Sequence, residues 1–255
     1  MSRDYGLDLF QNAIDSLQES VRYYDMAVAD ESKYKFCIIL FFHFSELMLK
    51  HLVEHVNPLL CYERPSSESI ANAKTINWRQ ATQVLINSNV VLDKKLARYL
   101  DFLSDLRNKI IHYKFTYSTA NIRMTIVYLA SELRKLYKEL TKKDYYLDLN
   151  EATKTLLVNI EDDYRKQLHL AQADAAEESG QGGAMDCGFC GESDTVTARD
   201  GTVARFCHFC REEDTRIECS HCLDIYWRSE ITPLGKNEED DEVFLCDHCL
   251  SQIEV

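Results

Sequence analysis

Apolar residues recur at alternating steps of three and four along residues 5–177, which is the spacing of one-sided amphipathic helices. The first stripe, over residues 5–29, consists of Leu7, Phe10, Ile14, Leu17, Val21 and Tyr24. Comparable stripes predict further helices over about 32–57, 78–88, 92–113, 120–142 and 150–177, and Asn77 and Asn150 are predicted to cap two of them. No part of this region reads convincingly as a strand. The pattern therefore predicts an all-α helical bundle.

The second predicted helix is the most apolar part of the chain. It contains "FCIILFFHF", which His43 interrupts and which Glu46 and Lys50 follow. A membrane-spanning helix needs about 20 mostly apolar residues, so we expect a core helix. It is either buried on several sides, or buried on one side and used in an oligomer interface on another. The opening "MSRDYGLDLF" has no continuous apolar region of the kind found in signal peptides. We therefore expect a cytoplasmic protein without a membrane partner.

The composition of the chain changes at "EESGQGGAM", which is typical of a flexible linker. We predict a helical domain over residues 1–178, a linker over 179–186 and a small module over 187–255. Eight of the ten cysteines lie in this module as C-x-x-C pairs. In an intracellular chain such pairs indicate metal binding rather than disulfides. The pairs are Cys187/Cys190, Cys207/Cys210, Cys219/Cys222 and Cys246/Cys249.

Four C-x-x-C pairs supply ligands for two four-thiolate zinc sites. The sites could form sequentially, from the first pair with the second and the third with the fourth, or in a cross-braced order. Four protein ligands leave no open position for water, so we expect two structural Zn²⁺ ions and no catalytic metal. Such a module has too small a core to fold alone, and the ions would supply the missing stability. Gly188 and Gly191 in "CGFCG" would ease the turn around the first metal.

The charge of the chain is unevenly distributed. The net charge is −13, and residues 179–255 hold 17 Asp and Glu against 6 Lys and Arg. This acidity disfavours a zinc-ribbon transcription regulator, since nucleic-acid phosphates would be repelled. It favours a protein partner for the module, although Arg199, Arg205 and Arg211 leave a local RNA contact open.

The fourth predicted helix ends in "LRNKIIHYKF", which contains a cation, Arg107, and an imidazole, His112. Five residues advance an ideal helix by about 500°, so the two side chains point about 140° apart and lie about 7.5 Å apart along the axis. They do not share a face, and a second helix or a second copy of the chain must complete any site they form. The structural alternative is an interaction with the C-terminal carbonyls or an ion pair with Glu46.

The segment "RNKIIH" resembles the R-x4-6-H motif of HEPN domains, including a polar residue, Asn108, directly after the arginine. The earlier "HFSELMLKHLV", with Glu46 and Lys50, is similar to the second helix of that family. The resemblance covers about residues 1–145. The expected architecture is thus a HEPN-like helical bundle followed by a zinc-ribbon-type module.

The resemblance implies a metal-independent endoribonuclease whose active site forms across a homodimer. The 2′-hydroxyl of RNA would attack the adjacent phosphorus and leave a 2′,3′-cyclic phosphate and a 5′-hydroxyl. Arg107 would bind the phosphate and His112 would transfer protons, with Asn108 and Glu46 in support. These residue types suit the chemistry, because an imidazole titrates near neutral pH and a guanidinium offers a fixed fork of donors.

The same resemblance implies a role in prokaryotic antiviral defence or as the toxin of a toxin–antitoxin pair, with tRNA or mRNA as substrate. The alternative hypothesis is a non-catalytic adaptor. In that case the helical dimer would bind a nucleotide or a partner protein, and the zinc module would recognise another protein.

Overall fold

The structure, a computed structural model, describes residues 8–64, 74–112, 117–198, 204–236 and 242–253. The chain forms two compact units, Met1–Tyr164 and Arg165–Val255. The boundary between them falls inside the sixth helix. Residues 165–178, which the sequence assigned to the helical domain, are thus grouped with the C-terminal unit.

All six helices that the apolar pattern predicts are present. They are α1 (Leu9–Ala27), α2 (Tyr34–Val56), α3 (Trp78–Asn87), α4 (Lys94–His112), α5 (Thr119–Thr141) and α6 (Glu151–Ser179). Asn77 caps α3 in a reciprocal capping box with Gln80. The Asn150 side chain accepts a hydrogen bond from the Thr153 amide, 2.8 Å away, at the start of α6. Both predicted caps are therefore confirmed.

Helix α2 is the centre of the helical unit and packs against α1, α3, α4 and α5. Its most deeply buried large side chains include Phe41, Phe44 and Met48, none of which is exposed. By length and composition the stretch Glu31–Val56 could cross a membrane, but 61% of its most apolar window is buried inside the protein. Burial by neighbouring helices explains the apolar run as a core element.

We expect Phe44→Ala to lower the free energy of unfolding by about 3–5 kcal/mol, the cost typical of removing a buried aromatic ring. The Phe44 ring is fully buried and contacts Phe41 and Tyr145, at 5.5 and 5.9 Å between centroids. Chemical denaturation of the full-length chain followed by circular dichroism measures the change. Leu147, which is 79% exposed, provides the matched control: Leu147→Ala should change little. Equal losses in the two variants would contradict the assignment of the core.

The C-terminal unit is built on strands. They are β1 (Val196–Ala198), β2 (Ala204–Cys207), β3 (Glu213–Glu218), β4 (Ile225–Trp227), β5 (Ile231–Lys236) and β6 (Glu242–Cys246), and a short helix, α7 (Asp247–Ile253), follows. Strands β1 to β4 form an antiparallel sheet in chain order, and β5 and β6 form a separate hairpin. The prediction of an all-α protein is therefore wrong for the chain as a whole, because its C-terminal unit carries two antiparallel sheets.

The strands leave no recognisable pattern in the sequence because they are only three to six residues long. A period of two cannot be recognised over so few positions, particularly where cysteines interrupt it. Hydrophobic periodicity therefore identifies a long helix far more clearly than it identifies short strands between metal-binding cysteine pairs. The predicted flexibility of residues 179–186 stays a prediction. Within that segment the chain forms a 3-10 turn over Gly180–Gly182, and Met185 bridges to Val196.

Candidate functional site

The first and second cysteine pairs form one cluster. The four sulfurs of Cys187, Cys190, Cys207 and Cys210 lie within 4.8 Å of one another, and all four residues are buried. The Cys187 and Cys210 sulfurs are 3.7 Å apart, and those of Cys190 and Cys207 are 3.8 Å apart. Cys187 lies two residues after Met185, which bridges to Val196 of β1, and Val196 pairs with Cys207 at the end of β2. The two pairs of cysteines therefore meet at this strand.

The third and fourth pairs form the second cluster, from Cys219, Cys222, Cys246 and Cys249. The sulfurs of Cys222 and Cys246 are 3.9 Å apart. Ile231 and Leu245 pack with these cysteines in a small buried core, against which Tyr226 also packs. Of the two pairings left open by the sequence, the structure has the sequential one.

Three of the four C-x-x-C pairs each form a backbone turn of the same type. The amide of the residue after the second cysteine donates to the carbonyl of the first: Gly191 to Cys187 at 2.8 Å, Arg211 to Cys207 at 3.0 Å and Leu223 to Cys219 at 2.9 Å. Each donor residue has a positive φ, of 72°, 65° and 63°. The left-handed conformation suits glycine, and a non-glycine residue there costs about 1–2 kcal/mol. The fourth pair is different, since Cys249 lies on α7.

The chemistry of the donors fits zinc. A tetrahedral ion with Zn–S bonds of about 2.3 Å places its sulfurs about 3.8 Å apart, close to the measured separations. Backbone amides also point at the sulfurs, including Cys190 to Cys187 Sγ and Cys210 to Cys207 Sγ, each at 3.4 Å. These donors would stabilise thiolates. The two four-cysteine clusters could therefore each hold a zinc ion.

A buried polar network braces the first cluster. The Asp214 carboxylate accepts hydrogen bonds from Arg205 at 2.8 Å and from the Ser229 hydroxyl at 2.7 Å and amide at 3.1 Å. The Arg205 guanidinium also stacks on the Trp227 ring, 3.7 Å from its centroid. A Cβ on Gly188 would lie 2.1 Å from the Ser229 hydroxyl, so Gly188 is required for this close approach rather than for a left-handed turn.

Arg205 of this network is one of the three arginines, with Arg199 and Arg211, that could contact RNA according to the sequence. Arg205 is engaged by Asp214 and Trp227, and its side chain is only 16% exposed. Arg199 lies outside the described residues. Arg211 is exposed and lies 6.0 Å from the centroid of the Phe206 ring, so of the three arginines it is the one that the structure leaves accessible to a phosphate. Nothing in the sequence pattern pointed to Asp214, because its partners lie 9 and 15 positions away.

The C-terminal half of α6 belongs to the unit that carries the clusters. Ala171 and Ala175 are buried there. The Gln172 side chain donates to the Ser193 carbonyl at 3.0 Å, and Glu178 pairs with His208, also at 3.0 Å. His208 thus faces a carboxylate and not the thiols. The end of α6 is a structural part of the metal module.

Arg107, Asn108 and His112 lie at the C-terminal end of α4, and all three are exposed. The Arg107 guanidinium donates to the Asn108 amide oxygen at 3.1 Å and lies 5.9 Å from the centroid of the Phe42 ring on α2. No carboxylate of the described residues forms an ion pair with it. Asn108 can therefore orient Arg107, as the resemblance implies, while the catalytic roles of these residues stay predictions.

Glu46 does not pair with Arg107. It lies on α2 and forms an ion pair with Lys50 at 3.0 Å, and Lys50 also donates to the Thr75 hydroxyl at 3.1 Å. Lys50 is only 11% exposed, so this pair is partly shielded from solvent. The ion pair between Glu46 and Arg107 that the sequence allowed is therefore not formed, because Glu46 pairs with Lys50. Any support from Glu46 to the site would be electrostatic and not a direct contact with Arg107.

No known protein family, curated protein or solved structure matches this chain.

Proposed function

We propose that this protein is a dimeric, metal-independent endoribonuclease of the HEPN type, with a C-terminal module held by two structural zinc ions. The single observation that carries the nuclease proposal is the state of Arg107. Its guanidinium is exposed, is oriented by Asn108 and forms no ion pair among the described residues. A guanidinium of this kind is available to form paired hydrogen bonds with a phosphate.

In the proposed reaction Arg107 holds the scissile phosphate and stabilises the charge that builds on its oxygens. His112, exposed at the last turn of the same helix, transfers a proton. Because the two side chains point about 140° apart on an ideal helix, one chain does not complete the site. A second copy of the chain would bring its own α4 to the same cleft.

The zinc ions in this proposal are structural. All eight ligands are cysteines, and four thiolates close the coordination sphere of each ion. The acidic module would recognise a protein and not RNA, since its net charge repels phosphates and Arg205 is already engaged. We place the activity in the cytoplasm, in antiviral defence or as a toxin, with tRNA or mRNA as substrate.

The test is the chemistry of the RNA ends. The purified full-length chain is incubated with tRNA or mRNA without added magnesium, and the new ends are mapped by sequencing. We expect fragments with 2′,3′-cyclic phosphates and 5′-hydroxyls, and a dimer by analytical ultracentrifugation. The His112→Ala protein, purified in parallel, controls for contaminating nucleases.

Fragments with 3′-hydroxyls and 5′-phosphates would contradict the proposed mechanism, because 2′-hydroxyl attack cannot produce them. A complete lack of cleavage across tRNA and mRNA would overturn the nuclease proposal. The adaptor alternative predicts that result, together with unchanged partner binding by Arg107→Lys.

A further inference from the structure

One histidine of α2 lies on the surface beside Arg107. His43 is exposed, whereas its neighbours Phe42 and Phe44 are 6% and 0% exposed. It is the residue that interrupts the apolar run of α2, and the packing of the core does not use it. An exposed imidazole within an otherwise buried helical segment is available for chemistry.

His43 directly follows the residue of α2 that Arg107 approaches. The Arg107 guanidinium reaches from α4 to the ring of Phe42, the residue that precedes His43. The charges of Glu46 and Lys50 on α2 and of Arg107 on α4 all act on the His43 imidazole. A phosphate bound by Arg107 would therefore lie close to an imidazole of the same chain.

We infer that His43 is a second proton-transfer residue of the proposed ribonuclease: it acts as the general base beside the phosphate that Arg107 holds, and His112 of a second copy acts as the general acid. This inference rests on the proposed function. It divides between two different histidines the two roles that a single imidazole serves poorly.

The assignment gives a balanced reaction. His43 accepts the proton of the 2′-hydroxyl, and the 2′-oxygen forms a bond to phosphorus. The bond from phosphorus to the 5′-oxygen breaks, and protonated His112 donates its proton to that oxygen. The products are a 2′,3′-cyclic phosphate and a 5′-hydroxyl. Exchange with water then returns both imidazoles to their starting protonation states.

The orientation of α4 assigns the acid to the second copy. Arg107 points toward Phe42 on α2, and His112 projects about 140° away on an ideal helix. The His112 of the same chain therefore points away from His43. A two-fold arrangement would place the His112 of each chain beside the His43 of the other.

The protonation state of His43 suits a base. Although the His43 side chain reaches solvent, partial desolvation by the surrounding protein lowers its pKa below the ordinary 6.5; the positive charges of Lys50 and Arg107 lower the pKa further, and Glu46 opposes them. A lowered pKa means that the neutral imidazole persists to more acidic pH. At neutral pH His43 is therefore ready to accept a proton.

The first experiment compares full-length His43→Gln with the parent in RNA cleavage. General acid–base catalysis contributes about 10²–10⁴-fold, so we expect a loss of that size in kcat/KM. The acidic limb of the pH profile should have its midpoint below pH 6.5 in the parent and should vanish in the variant. His55→Gln, an exposed histidine on the same helix, should leave rate and profile unchanged.

The second experiment mixes two impaired proteins, His43→Gln and His112→Ala, under conditions that allow dimers to exchange. A mixed dimer contains one intact site, formed by the His43 of one chain and the His112 of the other. Because half of randomly formed dimers are mixed, we expect about a quarter of the parental rate. Failure to regain activity, with exchange verified by mass spectrometry, would overturn the assignment to two different chains.

The outcomes separate this inference from the function on which it rests. If the parent cleaves RNA and His112→Ala does not, but His43→Gln cleaves at the parental rate with its acidic limb intact, the nuclease stands and the role of His43 is wrong. If the parent itself does not cleave RNA, both proposals are wrong. A folding defect in His43→Gln is identified by its thermal unfolding curve. His43→Asn then serves as the second variant, and parental cleavage by it would equally overturn the inference.

Discussion

Replacing Cys207 with serine is expected to reduce the bound zinc from two ions to one per chain and to unfold the first metal centre. The Cys207 side chain is 1% exposed, and its sulfur lies 3.8 Å from that of Cys190, so the new hydroxyl would replace one of four thiolate ligands. Zinc binding stabilises small modules of this kind by about 10–16 kcal/mol, which exceeds what so small a core supplies. Serine is a poor ligand, so most of that stabilisation should be lost.

The measurement is metal content of the purified full-length chain by mass spectrometry, together with a chelator titration. We expect the second cluster to keep its ion, because Cys219 and its partners do not include Cys207. Cys61→Ser is the matched control: Cys61 is buried in the helical unit, and its sulfur donates to the Lys50 carbonyl at 3.2 Å, which a serine hydroxyl can also do. Two ions in Cys207→Ser, or none in the parent, would contradict the assignment.

Replacing His112 with alanine is expected to slow RNA cleavage by about 10²–10⁴-fold, the contribution typical of a proton-transfer side chain. Arg107→Lys should also be strongly impaired, because lysine keeps the charge but lacks the planar fork that binds two phosphate oxygens. Loss of one transition-state donor costs about 10²–10³-fold in other enzymes, and we expect a loss of that order here.

Single-turnover cleavage of a defined RNA measures both losses. Lys109→Ala is the matched control, since Lys109 lies on the same turn of α4 and pairs with Asp105 at 2.6 Å outside the proposed site. If His112→Ala cleaved as fast as the parent, the nuclease proposal would have to be abandoned. Tolerance of Arg107→Lys would instead show that the fork of donors does not matter.

The long helices could be predicted from the sequence because each buries one continuous stripe. In α5, Ile122, Ile126 and Leu129 repeat at helical spacing and are all buried. The start of a helix could also be predicted where the sequence contains a capping residue, as at Asn77 and Asn150. The sheets of the C-terminal unit could not be predicted, because pairings such as Val196 with Cys207 join segments whose neighbours in sequence carry no alternation.

The sequence predicts which eight cysteines form the metal clusters. It does not determine which pairs share a cluster, since the ligand spacing allows both the sequential and the cross-braced order. The hydrogen-bond network around Asp214 could not be predicted from the sequence. A carboxylate that accepts three hydrogen bonds from residues distant in sequence has no local sequence pattern. For the site on α4, by contrast, the residues are predictable and one of their contacts is not. Its residues could be named from a motif, but the contact of Arg107 with Phe42 depends on the packing of α4 on α2.

Helix α6 runs without interruption from Glu151 to Ser179 and crosses the boundary between the two compact units. Its last turns are held by the metal module, through the buried Ala175 and the Glu178–His208 pair. Helical order is cooperative along the backbone, so turns that lose their support tend to fray toward the next well-packed residue. Oxidation of the cysteines or loss of a bound metal would therefore shorten the ordered part of α6 from its C-terminal end.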